Sequence, residues 1–170
     1  MHLVAVLPAW MLADGDFGGL VVGGTAEFGF AVEPAHIDLG ADMAGIVQVG
    51  DAVPTTTVSG TVLAPSPEAP LVIDAGWVKP IVTALDASHR GTISVRGRLV
   101  VEPQLWATDG VLWPLVPDGV RLWSVDRIRA VTAEVVDLAA SPPVSAVDHD
   151  AVYLLDLNRP QPARRSVDGT

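Results

Sequence analysis

No stretch of this 170-residue chain holds an apolar period of 3.6 residues for three turns without a glycine or proline breaking it. Short runs of Val, Ile, Leu, Thr and Trp recur instead between clusters of Gly, Pro, Asp and Ser, with 14 prolines and 16 glycines spread throughout. Successive residues of an extended chain face opposite ways, so apolar alternation bounded by turn formers is the signature of half-buried strands. The sequence therefore predicts an all-β fold, an antiparallel barrel or sandwich with Greek-key connections and at most one short helix. Strands are expected over 2–10, 19–32, 45–50, 55–64, 70–75, 78–85, 91–102, 119–137 and 151–157. Turns are expected at Asp14-Gly15, Pro65-Ser66-Pro67, Ser88-His89-Arg90-Gly91, Asp109-Gly110 and Pro117-Asp118-Gly119. The one candidate helix covers 34–44, where Pro34 suits a first helical turn and Gly40 weakens the interior.

Residues 1–157 are expected to form a single β domain, and 158–170, almost without apolar side chains, a disordered tail. Phe30-Ala31-Val32-Glu33-Pro34 echoes Leu99-Val100-Val101-Glu102-Pro103. That echo raises a second organisation, two similar β units over about 1–53 and 54–157. From Thr55 to Val136 the strands Val58–Val62, Leu71–Ile73, Ile81–Thr83 and Ile93–Leu99 follow one another at short spacing, with Gly60 and Gly97 inside two of them where a barrel must bend. In that rhythm the segment resembles an oligonucleotide/oligosaccharide-binding barrel; the likeness is one of pattern over less than half of the chain, and it assigns no family.

The chain contains no cysteine, which removes disulfides and thiolate chemistry from consideration and makes the cytosol the expected location. The apolar start, His2 to Leu12, is too short to span a bilayer and has no basic residue before it, so it reads as neither anchor nor signal peptide, and no membrane association is expected. Nine of the ten bases are arginine, a bias that points to a GC-rich bacterial genome. The formal net charge of −10 opposes general binding to nucleic acid or anionic membrane. That charge is split: residues 1–78 hold nine acids and no Lys or Arg, and residues 79–170 hold eleven acids and all ten bases.

Strand parity organises those bases. Over 92–101 Arg96 and Arg98 share one face opposite Ile93, Val95 and Leu99, and over 119–131 Arg121, Trp123, Arg127 and Arg129 fall on one parity. If the two strands pair, five arginines and a tryptophan share one surface, suited to an anionic ligand or an oligonucleotide. The competing reading is a solvated face whose arginines pair with acids, the base-free first half supplying the obvious partners. Trp106 and Trp113 flank a loop and form a second aromatic candidate. Glu33, His36, Asp38 and Asp42 lack the spacing of a metal site, and Asp14-Gly15-Asp16-Phe17-Gly18-Gly19 runs out of ligands as a calcium loop, so no metal, no cofactor and no catalytic residue is assigned.

With a mean hydropathy of +0.41, high for a lone soluble chain, the leading expectation is a non-enzymatic interaction or assembly protein that forms homo-oligomers or meets a protein partner. A small barrel binding an anionic ligand on the arginine face comes second. A hydrolase using acidic residues comes third.

Overall fold

The computed structural model describes residues 1–40, 43–50, 52–63, 70–82, 89–102, 104, 112 and 115–160. Its elements in chain order are β1 (His2–Leu7), α1 (Ala9–Asp14), β2 (Thr25–Phe28), β3 (Phe30–Leu39), β4 (Gly45–Val49), β5 (Thr55–Leu63), β6 (Leu71–Asp74), β7 (Ile81–Val82), β8 (Thr92–Val101), β9 (Arg121–Val131), β10 (Val135–Leu138) and β11 (Val152–Asn158). Short 3₁₀ turns occupy Pro117–Gly119 and Val144–Ala146. The expected all-β architecture is what the chain adopts. No helix among the described residues is long and apolar enough to cross a membrane.

Five of the strands close into a barrel. β8 pairs with β3 along one edge and β5 along the other; β5 pairs with β6, β6 with β7, and β7 returns to β3 in parallel. The barrel therefore runs from β3 to β8 and takes its first strand from before Thr55. The 119–136 segment, expected within it, lies outside. There β9 pairs with β11, β11 with β1, and the far edge of β9 carries β2 and then β10. This flanking sheet joins the barrel through one parallel bridge, Val6 to Val100. Strands from 1–53 pair only with strands from 54–157, and the two echoing segments lie side by side, Phe30 opposite Val101 and Val32 opposite Leu99.

A single apolar core runs through both parts. Val32, Val58, Ile93, Val95 and Leu99 of the barrel belong to the same buried cluster as Leu3, Leu7, Trp123, Ile128 and Leu155 of the flank. Burying such side chains is worth roughly 1.5–3 kcal/mol each, so the flank is held by more than its one bridge. A smaller cluster forms on the outside of the barrel, where Leu112 and Val116 cover Ala31, Val72 and Ile81.

The helix and the 2–10 strand fall differently from the sequence reading. β1 stops before Pro8, and α1 follows, buries Met11 and Leu12, and ends at Gly15, whose φ of 87° closes the last turn with a bond from its N–H to the Leu12 carbonyl. The expected Asp14-Gly15 turn is thus the close of a helix. The expected helix at 34–44 is strand over its first six residues, because Pro34 sits at a bulge: the pairing with β8 slips between Pro34 and His36. A bulge tolerates a residue with no N–H to give the ladder. Asn158, assigned to the tail, closes β11, and the Arg159 N–H donates to the Met1 carbonyl at 3.0 Å; residues 161–170 lie outside the described residues.

Gly60 and Gly97 stand where β5 and β8 are crossed most closely. A Cβ on Gly97 would overlap the Glu33 carbonyl, and one on Gly60 the Asp74 carbonyl, closer than real Cβ atoms approach. Because the obstacle is backbone and not a flexible side chain, Gly97→Ala is expected to cost about 2 kcal/mol or more in urea unfolding. An unchanged midpoint would show that the strands are not in this close contact.

Candidate interaction surface

The alternation in β8 places Thr92, Arg96 and Arg98 outward and Ile93, Val95 and Leu99 inward, as parity requires. Its neighbours extend the outer face in register. Val47 of β4, Thr57 of β5, Arg96 of β8 and His36 of β3 form one row, and Gly45, Ser59, Ser94 and Asp38 form the next. Cross-strand pairs of this kind hold a sheet face together. The Ser59 and Ser94 hydroxyls are 3.0 Å apart and hydrogen-bonded, His36 Nε2 lies 2.9 Å from an Asp38 oxygen, and an Arg98 guanidinium N–H donates to Glu33 at 2.6 Å. Arg96 forms no ion pair with a described residue. Together with Val49, Thr55 and Thr57 it lines a depression of about 390 Å³.

The second set of arginines lies elsewhere, for two reasons. β8 and β9 do not pair, since β1 and β11 stand between them. β9 also carries a bulge: Asp156 faces Arg127, but the next residue of β11, Leu157, faces Val125, so Asp126 is extra and parity reverses there. Trp123 and Val125 before the bulge point inward with Ile128 after it. Trp123 is fully buried, edge-on to Phe30 with ring centroids 5.6 Å apart. Arg121 pairs with Asp118 at 3.3 Å, and its guanidinium lies 4.8 Å over the Trp77 ring, which also receives Arg159 at 3.8 Å. The six residues that parity grouped on one surface are thus divided among the barrel face, the core and its Trp77 margin, and a separate seam. Trp106 and Trp113 lie outside the described residues.

That seam opens where β1 leaves the barrel. It forms a cleft of about 350 Å³ with His2, Gln48, Arg127, Arg129 and Asp156 in its walls. Arg129, 5% exposed, grips Asp156 with two hydrogen bonds of 2.9 and 3.1 Å and reaches the Ala52 carbonyl at 3.3 Å. Arg127 at the rim grips Asp137 in the same fork, at 2.6 and 2.8 Å. Gln48 bridges the gap: its amide donates to the Val4 carbonyl and to the Thr56 hydroxyl, and its oxygen accepts from the Val4 N–H. Only Arg98 among these paired arginines takes its acid from the base-free first half; Arg121, Arg127 and Arg129 find theirs within the second.

β4, whose Gln48 reaches into this seam, is the last strand of the sheet. Its sequence, Gly45-Ile46-Val47-Gln48-Val49, has no charge and no proline. Ile46 packs against the core, while Val47 and Val49 are 61% and 70% exposed and Met43, two residues before the strand, 80%. Sequence reasoning located this strand without seeing that it ends the sheet, a property set by pairing order.

No known family model, curated protein or solved structure matches this chain.

The paired arginines make two measurable statements. The hydrogen bonds and charge of Arg127 hold the Asp137 carboxyl below its ordinary 3.8 and raise Arg127 itself. A depressed folded pKa means that the pair's contribution is present above the ordinary value and fades as pH falls through the depressed one. In Arg127→Gln the Asp137 titration, followed by carboxyl ¹³C shifts, should rise toward the ordinary value of 3.8, Arg129 still lowering it. Coincident wild-type and variant curves would mean that the fork does not form in solution. For the buried pair, Arg129→Met is expected to cost about 3 kcal/mol by stranding Asp156, with Arg129→Met/Asp156→Leu recovering most of it. A double variant as unstable as the single would assign the loss to packing around Arg129 and not to the stranded charge.

Proposed function

We propose that this chain is a non-enzymatic interaction protein that assembles with copies of itself, β4 of one barrel adding to β4 of the next. The observation that carries the reading is the far edge of β4, which pairs with no strand among the described residues. An edge strand offers a row of free N–H and C=O groups, and proteins that stay apart blunt such edges with lysine, proline, inward charges or a covering loop. β4 has none of these residues and shows two valines to solvent beside an exposed Met43. The chain's high mean hydropathy, +0.41, agrees with apolar surface reserved for contact.

A strand that meets its own copy antiparallel does so about a two-fold axis, the commonest symmetry of soluble homo-oligomers. Val47 is the middle residue of β4, so an axis near it would bring the exposed valines of both copies together on one face of a continuous sheet. Such an assembly suits the cytosol, where a chain without cysteine meets no need for disulfides.

Light scattering on the wild-type chain should give twice the monomer mass at micromolar concentration. Val47→Lys should raise the dimer dissociation constant at least tenfold, because the two lysines would face one another across the new pairing. A wild-type monomer at the same concentration would sink the proposal.

A further inference from the structure

Arg96 stands out in a chain whose acids outnumber its bases two to one. Arg98, Arg121, Arg127 and Arg129 each hold a carboxylate, and Arg159 lies on Trp77. Arg96 has Asp38 within one diagonal step, since its strand partner His36 is two residues away, but Asp38 holds His36 instead. The other carboxylate of the face among the described residues, Glu33, is taken by Arg98. Arg96 turns the other way and lines the depression with Thr55, Thr57 and Val49.

We infer that this depression is a binding site for an oxyanion carried on a small apolar group, a carboxylate or a phosphate monoester. The guanidinium supplies a planar fork of N–H donors that matches two oxygens of such an anion. Thr55 and Thr57 are two residues apart on β5 and therefore on the same face, and no hydrogen bond joins either hydroxyl to a described residue, so both are free to donate. Val49, 70% exposed, forms an apolar wall beside them. The volume of about 390 Å³ exceeds a bare anion and leaves room for an apolar stem. All four residues stand on paired strands, where backbone positions are fixed before the ligand arrives. Glu33 is matched by Arg98 and Asp38 is hydrogen-bonded to His36, so the Arg96 guanidinium is the charged group that lines the depression, on a molecule of net charge −10.

The site shares Val49 with the proposed self-association edge, but Arg96, Thr55 and Thr57 stand on the interior strands β8 and β5. Pairing at the β4 edge extends the sheet in its own plane and leaves the outer face open.

The test is a titration of the full chain at low salt, watched by the Arg96 side-chain Nε–H and the Thr55 and Thr57 amide signals in ¹H–¹⁵N spectra. One arm uses inorganic phosphate and the other butyrate. Saturable shifts in those signals are expected in at least one arm, weakened about tenfold in Arg96→Gln and less in Arg96→Lys, which keeps the charge but not the fork. Thr57→Val should weaken binding by a smaller factor, and Arg127→Gln, on the separate seam, should leave it unchanged. Saturation by phosphate alone identifies a phosphate site, and by butyrate alone a carboxylate site with an apolar stem. The inference is overturned if neither anion saturates these signals, or if Arg96→Gln binds as the wild type does. Val47→Lys, read by mass, tests assembly separately, so the two proposals fail by different measurements.

Discussion

Strand β8 has three partners and only two edges. β3 occupies one edge over its whole length, so β5 and β1 must share the other: β5 takes Thr92 to Gly97, and β1 touches it once at Val100. The barrel and the flanking sheet are both defined by that handover. Up to Gly97 the chain curls around the barrel, and beyond it the same strand directs β1 and the rest of the flank away. A side chain at this point would strike the Glu33 carbonyl from β3, which is why the last residue paired with β5 is glycine.

Two strands that leave one edge in different directions open a gap between them, and the backbone facing that gap must find other partners. Val4 of β1 shows how. Its N–H and C=O, which a neighbouring strand would ordinarily engage, are both met by the amide of Gln48, so one side chain from β4 stands in for a stretch of strand. The hydroxyl of Thr56, fully buried, accepts a second bond from the same amide. Arg129 closes the far side of the gap, tying Asp156 of β11 to the Ala52 carbonyl in the turn between β4 and β5. Leaving buried groups of this kind unmet costs about 1–3 kcal/mol each. The polar seam is therefore a consequence of the sheet's branching, and the two arginines in it are engaged structurally before any ligand is considered.

The sequence revealed the inner face of β8 but not that of β9, and not which strands meet. In β8 the apolar residues at 93, 95 and 99 keep an unbroken period of two, and Arg96 and Arg98 lie outward as that period demands. In β9 the inward apolar residues are Trp123, Val125 and Ile128, and the step of three from Val125 to Ile128 records the bulge. Read as one uninterrupted alternation, the same segment put Trp123 beside Arg127, and the extra residue at Asp126 undoes that grouping. Pro34 was ambiguous for a local reason, since a missing N–H suits both a helix's first turn and a strand's bulge, and only pairing with β8 decides between them. The separation of the arginines had no local signal. It depends on β1 and β11, from the two ends of the described chain, passing between β8 and β9.

The two borders of the sheet are protected unequally, and their charges show it. At one end β10 exposes Val135 and Val136, but Glu134 precedes them and Asp137 follows, bound by Arg127 from the adjacent strand. An added strand there would meet a carboxylate on each side of the apolar pair. At the other end, within a chain of net charge −10, the five residues of β4 contain no charged group. Gln48, the one strongly polar side chain among them, points across the seam to β1 and is unavailable to guard the outer edge. Its duty to Val4 also fixes the parity of the strand, because a side chain that must turn inward at 48 obliges Val47 and Val49 to face out. The bond that repairs the branching of the sheet is thus the one that leaves its edge apolar and, among the described residues, without a strand partner.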